Sequence, residues 1–325
     1  MNTFKYVDLF AGIGGFHIAL DNLGGSCVFA SEIDPACQRM YQGNFGILPH
    51  GDIKQISACS IPDHDILAAG FPCQAFSIIG DRQGFSDTRG TLFFEIERII
   101  QEKKPRAIFL ENVKQLLTHD HGRTFETILH SLEKLGYVIH FRVLNGLDFG
   151  VPQKRERIII VGFKEDHPFE WPRGTEVRLS LEDVLIPDSE VEKKFYISEH
   201  IENKLKAKVT NKPCEQRTIW HENKSGHIGI HPYSCALRAN ASYNYLLVDG
   251  KRRLTPREML RLQGFPNDYT ILVSDSELRK QAGNSVVVPM IQEVGKSMLK
   301  AMTKQPIPEI FKFDLFERQR YYAKP

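Results

Sequence analysis

The first 163 residues alternate short apolar runs with amphipathic stretches, and this alternation restricts the fold more than any other feature of the sequence. Apolar runs predict strands at 6–10, 27–33, 65–69, 107–110, 138–144 and 158–163. Between them, residues 15–23, 91–101 and 122–135 space their apolar side chains as amphipathic helices do. Such alternation indicates an α/β fold, with a mostly parallel sheet covered by helices on both faces. In this architecture ligands bind at the carboxyl ends of the strands.

The pattern breaks after residue 163, where Pro168, Pro172 and Pro187 mark a boundary. We therefore predict a first domain at 1–174, completed by 281–325, a smaller second domain at 175–255, and a connecting segment at 256–280. Helical periodicity returns at Thr255, where a Thr-Pro-Arg-Glu sequence predicts a capping box. A last amphipathic helix is predicted over residues 288–302.

Composition excludes several classes of protein. No apolar run approaches the 18 or so residues of a membrane span, which argues against membrane attachment. Six cysteines lie far apart without a Cys-X-X-Cys pair, as expected in a reducing cytoplasm. The net charge is +2, yet residues 193–261 hold 14 Lys and Arg against 6 Asp and Glu. This basic segment is compatible with a polyanionic partner and equally with a solvated surface.

A glycine-rich turn directly follows the first predicted strand. Gly12, Gly14 and Gly15 let the backbone approach a ligand at a helix N-terminus. Glu32 ends the second strand, where a carboxylate can bind ribose hydroxyls. Asp52 follows what we count as a further short strand and can accept a hydrogen bond from an adenine amine. His17 replaces the last glycine of the dinucleotide fingerprint, which disfavours a nicotinamide oxidoreductase. The set indicates a nucleoside-containing cofactor without a pyrophosphate.

Reactive side chains follow the later strands. Cys73 comes after Pro72 in a loop that follows the fourth element of our count, where a thiol is accessible rather than core filler. Glu111 ends the strand at 107–110, a costly place for a carboxylate unless it is paired or used. Arg155 and Arg157 point to the same side of an extended segment, so that one or both can pair with Glu111 or bind a carbonyl oxygen.

Six motifs occur in a fixed order: Phe10-Ala-Gly-Ile-Gly-Gly, Gly70-Phe-Pro-Cys-Gln, Glu111-Asn-Val, Gln153-Lys-Arg-Glu-Arg, Arg253-Leu-Thr-Pro-Arg-Glu and Gly283-Asn-Ser-Val. In order and spacing the sequence resembles the DNA (cytosine-5)-methyltransferases of restriction–modification systems over roughly three quarters of the chain. One departure is Ala236 before Leu237, where such proteins often have threonine.

The resemblance implies a Rossmann-like S-adenosylmethionine-dependent methyltransferase sheet and a mechanism. Cys73 would add as a thiolate to carbon 6 of a cytosine turned out of the duplex. Glu111 would donate a proton to ring nitrogen 3, and Arg157 with Arg155 would hold the carbonyl oxygen. For the cofactor, S-adenosyl-L-methionine, Phe10 would stack near the adenine, Glu32 would hold the ribose, and Asp52 with Ile53 would frame the base. Asn284 would reach the methionine end.

The same resemblance implies that residues 175–255 form a target-recognition domain for double-stranded DNA. The loop at 78–90 resembles a mobile lid, with Arg89 on a phosphate and Ser77 near the DNA. The side chains suited to contacting base edges in the target domain are Arg217, His221, Asn223, Lys224, Arg238 and Asn240. We expect a monomer, with a cognate restriction endonuclease that acts separately.

Three alternatives remain open at this point. A tRNA cytosine methyltransferase would share the catalytic motifs, and a catalytically silent DNA-binding regulator would share the fold. Cys214, His221, His227, His231 and Cys235 could bind zinc, although their spacing fits no established finger.

Overall fold

The computed structural model describes residues 4–72, 92–209, 216–223 and 225–305. Strands and helices alternate through the first half of the chain, as predicted. In chain order they are β1 (Phe4–Leu9), α1 (Gly15–Asp21), β2 (Gly25–Ser31), α2 (Pro35–Phe45), β3 (Ile66–Gly70), α3 (Leu92–Lys103), β4 (Ala107–Val113), α4 (Arg123–Lys134), β5 (Val138–Asn145), β6 (Gln153–Lys154) and β7 (Glu156–Phe163).

Six of these strands form one sheet in the order β2-β1-β3-β4-β7-β5. The pairs β2–β1, β1–β3 and β3–β4 are parallel, whereas β7 runs antiparallel to both β4 and β5. The predicted α/β class with a mostly parallel sheet is therefore confirmed. The antiparallel strand β7 brings the segment that begins at Arg155 back to the edge where β3 and β4 end.

Two apolar layers enclose the sheet. Alternate strand residues such as Tyr6 and Phe109 face α1 and the C-terminal helix on one side. Their neighbours Val7 and Leu110 face α3 and α4 on the other. Side chains of successive strand residues point to opposite faces, so strands covered on both sides must be apolar throughout. This explains why the sequence shows continuous apolar runs.

The second half begins with α5 (Leu181–Val184), α6 (Glu199–Lys206), β8 (Ile219–Glu222), β9 (Ile228–His231), β10 (Ser234–Cys235), β11 (Leu246–Val248) and β12 (Arg252–Arg253). Four of the strands form an antiparallel sheet in the order β12-β11-β8-β9. β10 instead pairs with β6 and so connects this region to the segment before β7. The sheet lies inside the predicted second domain, whose boundaries stay a prediction.

Three helices complete the described chain: α7 (Pro256–Leu262), α8 (Asp275–Asn284) and α9 (Val288–Met302). The predicted capping box at the start of α7 is present, with Thr255 and Glu258 bonded to each other's backbone N–H groups. The bounds of α9 match the prediction, and α9 packs against α1 in the main core. The C-terminal part of the chain thus returns to the first sheet.

One detail of the sequence interpretation was wrong. The element counted before Asp52 is a single bridge between Ser31 and His50, so the strand that leads to Cys73 is β3 and not a fourth strand. Two residues cannot be recognised as a strand from periodicity. Among the described residues, no helix is long and apolar enough to cross a membrane.

Candidate active site

The glycine turn after β1 is shaped by close approaches that leave no room for side chains. Gly12 and Gly14 have φ values of +55° and +80°, the left-handed region that favours glycine. A Cβ at Gly14 would lie 2.2 Å from the ring of Phe45, and one at Gly15 would lie 2.6 Å from Val286. The turn is therefore in contact with the Gly283-Asn-Ser-Val segment, more than 260 residues later in the chain.

Glu32 fixes this turn from the end of β2. The backbone N–H of Gly12 donates to Oε2 and that of Asp34 to Oε1, both at 2.8 Å. Burial raises the pKa of Glu32, and the two N–H donors oppose the rise. Each carboxylate oxygen can accept a second hydrogen bond, so Glu32 can still bind a hydroxyl group while it holds the turn.

A cavity of about 820 Å³ opens above the turn at the carboxyl ends of the strands. Its size suits a cofactor together with a small substrate group. Asp52 lies in its wall and also caps the backbone N–H of Lys54 at 3.0 Å. Seven of the eight predicted cofactor-binding residues line this cavity: Phe10, Gly12, Gly15, Glu32, Asp52, Ile53 and Asn284. Gly14 lies behind the wall, against Phe45.

Glu111 and Arg157 form an ion pair inside the same cavity. Arg157 Nε lies 2.9 Å from Glu111 Oε1, and both side chains are largely buried. Burial raises the pKa of Glu111, while the charges of Arg157 and Arg155 pull it down. A carboxyl group whose pKa is raised keeps its proton to higher pH and can act as a general acid.

The end of β3 is held beside Glu111. Gly70 pairs with Glu111 in register, and a Cβ on Gly70 would lie only 3.7 Å from Glu111 Oε2. Asn112 Nδ2 donates to the carbonyl of Phe71 at 2.9 Å. The chain therefore leaves the sheet at Pro72 in the cavity wall. Three predicted site residues that follow lie outside the described residues: Cys73, Ser77 and Arg89.

The structure separates the two arginines that the sequence treated together. Arg157 pairs with Glu111, as predicted, but Arg155 does not. Arg155 is 1% exposed, and its terminal nitrogens donate to the carbonyls of Leu237, Gly283 and Ser285 at 2.6–2.9 Å. Both terminal nitrogens are therefore held by backbone groups of two distant segments, whereas Nε has no hydrogen-bond partner among the described residues. These bonds give Arg155 a part in assembling the cavity wall, and its role in holding a substrate carbonyl stays a prediction.

The residues of the predicted second domain that were expected to contact DNA differ in their surroundings. Arg217 donates two hydrogen bonds to Asp188, at 2.9 and 3.2 Å, and does not line the cavity. These bonds compensate its charge, which argues against the predicted base contact. Arg238 stacks on the ring of Tyr245 at 4.9 Å, and Asn240 lines the cavity itself.

Two other candidates for base contacts have partners within the fold, and a third lies outside the described residues. Asn223 caps the turn between β8 and β9 by accepting from the N–H groups of Ser225 and His227. His221 lies edge-on to Tyr245, and Lys224 is outside the described residues. Within the described ranges no group of three or more His, Cys, Asp or Glu side chains converges to hold a metal, and Cys214 of the zinc alternative lies outside them.

Sequence reasoning missed several polar residues of the cavity wall, and Gln281 is the most deeply placed on α8. Gln281 lies on α8 one turn before Asn284 and is 4% exposed. Its spacing of three from Asn284 places both on one side of a helix, a signal that the sequence carried.

A mostly parallel sheet, with a glycine turn after its first strand and a large cavity at the carboxyl ends of its strands, defines the class of Rossmann-like nucleotide-binding proteins. The chain belongs to the C-5 cytosine-specific DNA methylase family, whose model matches residues 4–300. It is therefore a DNA (cytosine-5)-methyltransferase.

Individual relatives agree with this family. The chain is 52% identical to the Type II methyltransferase M.NgoBI of Neisseria gonorrhoeae, over 90% of this chain and 92% of that protein. It is also 52% identical to the Type II methyltransferase M.HaeII of Haemophilus aegyptius, over 93% of this chain and 95% of that protein. The crystal structure of the S. pombe Dnmt2 methyltransferase shares the fold, with a TM-score of 0.73 at 21% identity, over 93% of this chain and all of that one.

Proposed function

We propose that this protein methylates carbon 5 of a cytosine turned out of a specific double-stranded DNA site, with S-adenosyl-L-methionine as donor and Cys73 as nucleophile. The observation that carries the proposal is the buried Glu111–Arg157 pair. It lies in the same cavity as the glycine turn and beside the end of β3, three residues before Cys73. A proton donor, a cation and a nucleoside pocket are thereby brought to one place.

The cavity suits this cofactor. Gly12 of the glycine turn faces the cavity with no atom closer than 4.0 Å to a Cβ built on it, and Glu32 keeps free lone pairs for ribose hydroxyls. Phe10 and Ile53 supply apolar surface, and Asp52 an acceptor, for an adenine ring. When bound, S-adenosyl-L-methionine supplies an activated methyl group.

The residues of this chain then prepare the cytosine. The Cys73 thiolate forms a bond to carbon 6 of the ring, while Glu111 donates its proton to ring nitrogen 3. Carbon 5 thereby becomes nucleophilic and would take the methyl group from the donor's sulfonium sulfur, which would leave as the thioether of S-adenosyl-L-homocysteine. Arg157 orients the Glu111 carboxyl through the 2.9 Å contact and has further N–H groups for the cytosine carbonyl. Loss of the carbon-5 proton to a base, departure of the Cys73 sulfur as thiolate and return of the proton from ring nitrogen 3 to Glu111 restore the aromatic ring and the enzyme.

We propose that the target-recognition domain, residues 175–255, contacts DNA through Arg238 and Asn240. Ser77 and Arg89, which precede this domain in the chain, are proposed to contact DNA as well. Asn240 supports this assignment, since it extends from the second region to the cavity. The relatives named as Type II methyltransferases support a role in restriction–modification, in which this protein protects DNA from a separate endonuclease.

Two measurements test the proposal. Bisulfite sequencing of plasmid DNA from cells that express the protein should show one recurrent methylated sequence, and plasmid from cells that express Cys73→Ser should show none. DNA with 5-fluorocytosine at that site should form a covalent adduct with the wild-type protein, because fluorine cannot leave as a proton. Methylation of tRNA in place of DNA would contradict the substrate, and normal turnover by Cys73→Ser would contradict the nucleophile.

A further inference from the structure

The loop at 237–242 has its backbone fixed by the rest of the protein. The N–H of Leu237 donates to Gln153 Oε1 at 3.0 Å. The N–H of Arg238 donates to the hydroxyl of Tyr245 at 2.8 Å. These bonds hold the start of the loop in place before any ligand binds, so the side chains that it carries leave the backbone at defined points.

The side chain of Arg238 is exposed and makes no hydrogen bond or ion pair with any residue in the described ranges. Its guanidinium lies over the ring of Tyr245, 4.9 Å from the ring centroid. Tyr245 is itself 7% exposed, with His221 edge-on to it. A guanidinium stacked on a fixed ring keeps its direction, while its N–H groups stay available to a ligand.

Two other arginines of this region also stack on a tyrosine, yet they spend donors on the protein. Arg279 lies 4.5 Å from the ring centroid of Tyr243 and donates to two carbonyls of the 237–242 loop. Arg253 lies 5.9 Å from the same centroid and donates to the carbonyl of Lys194. Arg238 differs from both because the described protein uses none of the donors of its guanidinium.

The position of Arg238 relates it to the base pairs around the target. Asn240, two residues later, lines the cavity that would receive the cytosine. Two residues span at most about 7 Å, roughly two base-pair steps of about 3.4 Å each. Base pairs next to the extruded cytosine are therefore within reach of Arg238.

The chemistry of the guanidinium selects among the bases. In the major groove guanine presents two acceptors, O6 and N7, which match two parallel N–H donors. Adenine places a donor beside its single acceptor, and cytosine offers a donor alone. A preorganised fork of donors consequently favours guanine.

We propose that Arg238 recognises a guanine within about three base pairs of the methylated cytosine, by donating to O6 and N7, and that Tyr245 positions the guanidinium for this contact. The assignment deepens the proposed methylation of double-stranded DNA and rests on it. Tyr245 acts through Arg238 and does not itself contact the base.

The test pairs changes in the protein with changes in the DNA. Once bisulfite sequencing has given the methylated sequence, each guanine near the cytosine is replaced in turn by 7-deazaguanine, which keeps base pairing but lacks the N7 acceptor. With the wild-type protein one such replacement should raise the Kd roughly 10-fold. With Arg238→Met the native and the replaced DNA should bind within a factor of about two of each other. Fluorescence anisotropy at one fixed salt concentration measures each Kd.

Two variants of Tyr245 test the positioning role. Tyr245→Phe keeps the ring and should retain the discrimination against 7-deazaguanine, whereas Tyr245→Leu should lose most of it. Thermal unfolding checks that both variants are folded at the assay temperature. Arg253→Met is the matched control, because it removes another stacked arginine and should leave the discrimination at the wild-type level.

Several outcomes would overturn the proposal. One is a wild-type protein that tolerates 7-deazaguanine at every position. Another is an Arg238→Met variant that binds all DNAs more weakly but still discriminates, since the arginine would then contact a phosphate. Loss of discrimination by folded Tyr245→Phe, or its retention by folded Tyr245→Leu, would remove the ring of Tyr245 from the account. Absence of methylated cytosine from DNA would instead refute the proposed function.

Discussion

At the scale of single residues, the active site depends on how burial and charge oppose each other at Glu111. Removal from water favours the neutral carboxyl group, whereas Arg157 and Arg155 favour the carboxylate. Burial prevails, so the pKa of Glu111 is raised even though a guanidinium lies 2.9 Å away. The ion pair thus holds the carboxyl in place while the surroundings let it keep a proton.

Replacing Glu111 by glutamine should lower the single-turnover methylation rate by roughly 100-fold, since the amide is no acid. Only the protonated carboxyl donates, so the wild-type rate should lose this contribution as the pH rises through the raised pKa of Glu111. The glutamine variant should lack that decrease. Rapid-quench assays across pH measure both effects, with the Kd of S-adenosyl-L-homocysteine as a control for the cavity. An undiminished rate would remove Glu111 as the acid.

At the scale of elements, α8 joins the two halves of the cavity. One side of this helix supplies Gln281 and Asn284 to the cavity wall. On another side Arg279 stacks on Tyr243 at 4.5 Å and donates to the carbonyls of Ala241 and Ser242. The loop that carries Asn240 is therefore fastened to the helix that faces the proposed cofactor.

Gly283 is where this helix and the loop come closest. A Cβ on Gly283 would lie 2.3 Å from the backbone nitrogen of Ala239, and backbone cannot turn aside as a side chain can. Gly283→Ala should therefore displace the loop, lower stability by about 1–3 kcal/mol as overpacking does, and raise the KM for DNA. Thermal unfolding and steady-state kinetics measure the two effects.

Gly229→Ala provides the matched control for stability, because its Cβ would meet only the far end of the His231 side chain. It should unfold close to the wild-type temperature. If Gly283→Ala behaves in the same way and keeps the wild-type KM for DNA, the close packing of loop and helix does not matter for target binding.

At the scale of the whole molecule, the excess of Lys and Arg at 193–261 is larger than the positive charge that remains available to DNA. Arg217 is bonded to Asp188, Arg252 to Glu258 and Asp188, and Lys194 to Asp275. Two of these acidic partners lie outside the segment, so a count within it misses them. The structure leaves Arg238, stacked on Tyr245 near the cavity, as the better candidate for a DNA contact.

Arg238→Met and Arg217→Met should consequently differ in their affinity for the cognate DNA. Arg238→Met should weaken binding of the cognate DNA by about 1–3 kcal/mol, or roughly 10-fold and more, because a specific arginine contact is lost. Arg217→Met should change the affinity far less, because its charge is already compensated by Asp188. Fluorescence anisotropy at one fixed salt concentration compares the two. A larger loss for Arg217→Met would reverse the assignment.

The sequence alone determined the features that depend on neighbours along the chain. Apolar periodicity gave the α/β class, because strands buried on both faces and amphipathic helices impose different spacings. The glycine turn, the capping box at Thr255 and the bounds of α9 were predictable for the same local reason. Glu111 at the end of an apolar strand was recognisable, since a carboxylate in that place must have a use.

Only the tertiary structure decided which partner each of several similar polar or charged side chains binds. Arg155 and Arg157 look alike in sequence, yet Arg155 is bonded to carbonyls 82 to 130 residues away and Arg157 to Glu111. The compensated charge of Arg217 is equally invisible in the sequence. Hydrogen bonds and ion pairs are satisfied by groups that folding brings together, and no local pattern records those partners.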